Sequence, residues 1–314
     1  MRYKLKVYTI HELGQRENQE DCIFPAKNQD SENDRFFVLC DGMGGHEAGE
    51  VASRTVCDAM SHYVLDNYEP DGTFTDDDMK KAVDAAFDAL DSLETEETPQ
   101  KKMGTTMTCL KLHSKGCTIA HIGDSRVYHI RPNEDGGADV LFVTRDHSLI
   151  NDLIAIGDLT EEEAKHSKQK NVITRAMQPN MERRPSPDIY ETSDIKAGDY
   201  FYLCSDGMLE NMEDNNICYH FSEKMAGGAD AKTGNLVQAT SENQDNHSAI
   251  IVYIKDVVSD AREEQPEIVM ELEQSKEEPF NELSEIEINK EQLKNGIVAK
   301  LRKLATKLIN LSSG

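Results

Sequence analysis

Short runs in which apolar residues alternate with polar ones, or stand uninterrupted, recur at Lys4 to Ile10, Phe36 to Cys40, Thr106 to Leu112, Thr118 to Ile122, Val127 to Ile130, Val140 to Val143, Tyr200 to Cys204 and Ser248 to Ile254. Runs of this length and period are the marks of β-strands. Between the second and third runs, Val51, Thr55, Val56, Met60, Tyr63 and Val64 repeat at helical spacing, followed by Met79, Val83, Phe87, Leu90 and Leu93. Each set gathers its apolar side chains into one stripe, so two long amphipathic helices are predicted in succession. Strands on both sides of that block, without regular strand-helix alternation, predict an α+β domain in which helices cover antiparallel sheets.

The periodicity weakens over 148–193, a polar stretch with Gly157, three prolines and a short helical pattern only around Leu159 to Lys168. It reads as an insertion or flap. From Asp256 to Ile288 acids outnumber bases by twelve to two, the composition of a solvated linker, so the folded domain is expected to span 1–255. Beyond it, over 289–314, Leu293, Ile297, Leu301, Leu304 and Leu308 repeat at three or four residues among Lys294, Lys300, Arg302, Lys303 and Lys307. That is a basic amphipathic helix, suited to an anionic membrane surface, a partner, or an intramolecular contact with the acidic chain itself.

Composition narrows the function. The 314 residues carry 59 acidic against 34 basic side chains, a formal net charge of -25, which argues against a nucleic-acid partner. The seven cysteines form no CxxC pair and sit mostly in apolar runs, as reduced core residues of a cytoplasmic protein do. The opening MRYKLKVYTI alternates like a strand rather than running apolar like a signal peptide.

Candidate chemistry lies in the carboxylates. Of four Asp-Gly pairs, Asp71-Gly72 and Asp135-Gly136 lie in polar, glycine-rich surroundings and read as turns. Asp41-Gly42 and Asp206-Gly207 instead come directly off the apolar runs FFVLC and YFYLCS. A carboxylate at the end of a buried strand is costly unless something pairs with it, and a metal ion is one such partner. Glu20-Asp21 and Asp245-Asn246 stand at strand starts, so antiparallel pairing would bring all four acidic sites to one sheet edge. Hard oxygen donors without His or Cys at zinc spacing select magnesium or manganese. No Cys-x5-Arg loop offers a thiolate route to phosphate chemistry.

The ordered motifs Arg16-Glu17-Asn18-Gln19-Glu20-Asp21, Val38 to Gly49 (VLCDGMGGHEAG), Gly104-Thr105-Thr106, Gly123-Asp124-Ser125-Arg126, Ser205-Asp206-Gly207 and Asp245-Asn246 together resemble the PPM family, the type 2C metal-dependent serine/threonine protein phosphatases, in its bacterial form. The resemblance implies a four-layer β-sandwich of two antiparallel sheets flanked by pairs of antiparallel helices. It also implies hydrolysis of phosphoserine and phosphothreonine in protein substrates, by solvent held between two Mn2+ or Mg2+ ions. Carried across, Asp41 bridges the two metals, Glu20 and the Gly42 carbonyl complete one, and Asp206 and Asp245 complete the other. Asp21 orients the attacking water and Arg16 binds the phosphoryl group.

Two positions depart from the family pattern. Met43 stands where many eukaryotic members have a histidine proposed to protonate the leaving oxygen, so a metal-bound water is the expected acid, with His46 a structural turn residue. At a weaker third metal site Asp124 matches, but Glu210 replaces the usual aspartate. A silent phosphoprotein-binding module and a phosphatase for small phosphometabolites are the alternatives. The first would have lost a metal carboxylate, and none is missing.

Overall fold

A computed structural model describes residues 1–27, 31–44, 47–93, 103–165, 167, 172–225 and 227–258. By its contacts the chain divides into a unit of Met1–Glu263 and a second of Glu264–Gly314. His46, the acidic linker from residue 259 onward and the basic helix expected over 289–314 lie outside the described residues.

All eight expected strands form. They are β1 (Arg2–Glu12), β3 (Phe36–Met43), β5 (Met107–His113), β6 (Gly116–Ile122), β7 (Arg126–Pro132), β8 (Ala138–Val143), β10 (Tyr200–Cys204) and β11 (His247–Val258), joined by the short β2 (Asp21–Phe24), β4 (Gly104–Thr105) and β9 (Asp188–Thr192). One sheet runs β1-β11-β10-β7-β8; the other runs β2-β3-β5-β6-β9, with β4 paired to β3, and every pairing is antiparallel. The two expected helices are α1 (Glu47–Asn67) and α2 (Asp76–Asp91). Thr75 caps α2: its hydroxyl accepts from the Asp78 amide while the Asp78 carboxylate reaches back to the Thr75 amide.

Why the strand runs are so apolar is visible in the layering. In β3, Phe37 and Leu39 face the interior between the sheets with Leu110, Phe201, Leu203 and Ile250. Phe36, Val38 and Cys40 face outward onto Val56, Met60, Val83 and Phe87 of α1 and α2. The outer face of the other sheet, with Tyr128, Tyr202 and Ile251, is covered by Ile217 and Phe221 of α5 (Asp214–Phe221) and Leu236 of α6 (Ala229–Ala239). Strands covered on both sides lose the polar half of their alternation. The result is the expected α+β four-layer sandwich. Among the described residues no helix is long and apolar enough to cross a membrane.

Two boundaries differ from the expectations. The stretch 148–193 is not one insertion: it holds α3 (Leu149–Ile156) and α4 (Glu161–Lys165), but Asp188–Thr192 joins the sheet as β9, pairing with β6. Ile189 and Tyr190 pack on opposite sides of that edge, and two apolar residues give too short an alternation to read. At the other end β11 passes residue 255, because Asp256, Val257 and Val258 pair with Lys4, Tyr3 and Arg2.

Candidate active site

Strand register builds the site. Antiparallel pairing of β2 with β3 sets Asp21 opposite Asp41, and β3 continues to Met43 because Gly42 and Met43 pair with β4. Pairing of β10 with β11 ends at Cys204 opposite Ala249, so Asp206, in a single 3-10 turn (Asp206–Leu209), and Asp245 leave the sheet at the same edge. The loop carrying Arg16 and Glu20 is fixed there by Asn246. Its amide nitrogen donates to the Leu13 and Asn18 carbonyls (2.8 and 3.0 Å), and its oxygen accepts from the Glu20 amide (2.8 Å).

These residues line a cleft of about 480 Å³ that includes Arg16, Glu20, Asp41, Gly42, Asp206 and Asp245. A second cleft of about 520 Å³ shares Arg16, Asp206 and Asp245 and adds Asp124, Asp146 and Glu210. Eight of the nine expected site residues therefore border two clefts with a common wall. The ninth, Asp21, is buried behind them, its Oδ2 accepting from the Ser205 hydroxyl at 2.9 Å. The Arg16 guanidinium lies 2.5 Å from Asp245 Oδ2, and Glu210 accepts from the Gln244 amide at 2.7 Å.

Close packing explains the glycines of the two strand-borne Asp-Gly pairs. A Cβ on Gly42 would lie 2.3 Å from the Gly49 carbonyl oxygen, and one on Gly207 2.0 Å from that of Asn246. A Cβ on Gly49 would strike the Glu20 carboxylate at 2.2 Å. By contrast Gly72 sits in a turn closed by its amide on the Glu69 carbonyl, and its Asp71 pairs with Arg35.

The carboxylates strain against one another. Burial, then the charges of Asp21, Asp206 and Asp124, hold Asp41 well above the usual carboxylate range. Burial likewise raises Asp206, and it pushes Asp21 and Asp124 up to about 7 with Asp206 adding to each. Asp21 Oδ1 and Asp124 Oδ1 are buried without a hydrogen-bond partner. Orphaned anionic oxygens converging from separate strands fit hard divalent cations, which would satisfy the lone pairs and lower these pKa values. Another trio, His121, His147 and Asp188, brings its donor atoms within 4.8 Å of one another. The Gly123 amide donates to His147 Nδ1 at 3.1 Å, which leaves the proton on Nε2, 3.1 Å from Asp188. That is a hydrogen-bonded pair, not a free ligand set.

The roles of four residues escaped the sequence reading. Asn246 stood in a motif, but its clamp on the Arg16 loop has no local signal. Ser205 and Ser248 exchange backbone and hydroxyl bonds that steady Asp21. Asp146 accepts from Arg126 Nε and Nη2 at 2.6 and 2.7 Å beside Asp124. Its sequence signal was the same as that of Asp41, an acid shortly after an apolar strand.

Comparison with known proteins agrees with this geometry. The family model described as protein phosphatase 2C matches residues 11–242. Serine/threonine protein phosphatase PstP of Mycobacterium tuberculosis is 35% identical over 206 residues, 64% of this chain but only 36% of that protein's length. Protein phosphatase PhpP of Streptococcus pneumoniae is 31% identical over 221 residues, 68% of this chain and 82% of that one. The crystal structure of the PstP catalytic domain with two manganese ions superposes with a TM-score of 0.63 at 30% identity, covering 80% of this chain and 99% of that one. With the motifs in order and the carboxylates at one sheet edge, the chain belongs to the protein phosphatase 2C family.

Proposed function

We propose that this chain hydrolyses phosphoserine and phosphothreonine on proteins, using two Mn2+ or Mg2+ ions. The observation that carries the reading is the convergence of Glu20, Asp41, Asp206 and Asp245 from four strand ends on one cleft, with Arg16 at its rim. The names of PstP and PhpP and the two manganese ions of the PstP structure support it.

In this reading Glu20, Asp41, the Gly42 carbonyl, Asp206 and Asp245 would hold the two ions, and Asp124 with Glu210 a weaker third. Bound ions supply the acidified water and the charge neutralisation that a phosphate dianion demands. The protein's own groups do the rest. Arg16, more than half exposed, exchanges its contact with Asp245 for two phosphoryl oxygens, a fork geometry that lysine lacks. Asp21, anchored by Ser205 behind the cleft wall, would orient the attacking water from there. Met43 lines the cleft and donates nothing, so the leaving oxygen takes its proton from solvent.

The test is turnover of p-nitrophenyl phosphate and a phosphothreonine peptide in manganese, with a chelator control. Asp41→Asn and Asp206→Asn are expected to lose at least ~100-fold in kcat, and Arg16→Ala mainly to raise KM. Chelator-resistant turnover, or near-parental rates in either aspartate variant, would overturn the assignment. A phosphatase for small metabolites would share these residues and is separated by comparing phosphopeptides with sugar phosphates.

A further inference from the structure

Beside the metal-binding cleft lies another of about 680 Å³, and the two share Met43 and Ile173 in their walls, so they are contiguous. Among the described residues its lining contains Arg175, Arg183 and Arg184 and no carboxylate, in a chain whose net charge is -25. We propose that this cleft is an anion subsite, and that phosphopeptides bearing a carboxylate or a second phosphate near the reacting residue are the preferred substrates; the inference rests on the phosphatase reading above.

The three guanidiniums differ in how they are held. Arg184 Nη2 is 2.7 Å from both Asp88 Oδ1 and Asp91 Oδ2 on α2, and its guanidinium lies 5.3 Å from the Phe87 ring centre. Arg175 Nη1 is 2.9 Å from Asp188 Oδ1 on β9. Each is anchored through one nitrogen, which leaves the other donors for a ligand. Arg183 is exposed and forms no ion pair among the described residues. Asp88 and Asp91 neutralise Arg184 and Asp188 neutralises Arg175, so among the described residues Arg183 is the cleft's uncompensated charge. A planar fork of donors suits carboxylate and phosphate alike. Across the rest of so acidic a surface an acidic peptide is repelled, so a local cationic wall next to the phosphoryl site decides where and how such a peptide docks.

The experiment measures kcat/KM for the full chain in manganese on phosphothreonine peptides that differ in one neighbouring residue: alanine, glutamate, or a non-hydrolysable phosphonate analogue of phosphoserine. The anionic peptides are expected to exceed the alanine peptide by about three- to ten-fold, mostly through KM, with the advantage shrinking as salt rises. Arg183→Ala should bring that ratio towards one and Arg183→Glu below one, while Arg183→Lys retains most of it. An advantage for the phosphonate alone identifies a second phosphate as the ligand, and an equal advantage for glutamate identifies acidic sequence. A ratio of one in the parent chain, or one unmoved by both Arg183→Ala and Arg183→Glu, overturns the subsite. Absence of metal-dependent turnover on every peptide and on p-nitrophenyl phosphate would instead overturn the phosphatase reading.

Discussion

At the site a single methyl group separates function from stability. Gly49→Ala would press on the end of the Glu20 side chain, which can swing away, whereas Gly207→Ala would press on the fixed backbone at Asn246. Gly49→Ala is therefore expected to keep its fold and lose about ten-fold in manganese affinity, seen in metal-titrated activity. Gly207→Ala should cost about 2–4 kcal/mol in urea denaturation. Asp124 is destabilising in the metal-free protein at neutral pH, because burial raises its pKa to about 7, well above the ordinary carboxylate range. The folded state then holds the proton that the unfolded state releases, so its contribution is complete below about pH 4 and is lost as pH rises through 7. In chelator, Asp124→Asn should match the parent near pH 4 and gain on the order of 2 kcal/mol by pH 8, followed by thermal melts. In manganese that gain should disappear. The strand-borne aspartates were legible because an acid at the end of an apolar run demands a partner. The Asn246 clamp was not, since its partners Leu13 and Asn18 lie more than two hundred residues away.

Most elements read from sequence are buried on two faces or along a full stripe, while the half-exposed edge strand β8 was read from its apolar run Val140 to Val143. β5 and β6 are buried from end to end, and α2 buries Met79, Val83, Phe87 and Leu90 at regular spacing. What escaped is marginal in that sense. α6 buries only Ala229, Lys232 and Leu236, with a lysine interrupting the stripe, and β9 is a short half-exposed edge. The polar composition of 148–193 reads as an insertion and does not show where the chain rejoins the sheet. Element ends are set by local chemistry, and α2 offers a clean test. Thr75→Ala removes the hydroxyl that takes the Asp78 amide and should cost about 1 kcal/mol, read from the urea midpoint, with turnover on p-nitrophenyl phosphate unchanged.

On the scale of the whole molecule, the layers share their sheets: each sheet faces the sandwich interior on one side and a helical layer on the other. Such a unit should unfold in one transition. Because β11 ends at Val258, a chain of residues 1–258 should melt once and retain the parental kcat on p-nitrophenyl phosphate; a broadened melt would show that residues beyond Val258 support the fold. The same strand has a consequence during synthesis. Among the described residues β11 is the only strand that pairs with β1, it lies between β1 and β10, and Asp245 and Asn246 immediately precede it. A nascent polypeptide still short of this segment carries Glu20, Asp41 and Asp206 but lacks both the fourth carboxylate and the amide that locks the Arg16 loop. Synthesis must therefore reach β11 before the candidate site has its full set of acidic residues and its Arg16 loop is fixed.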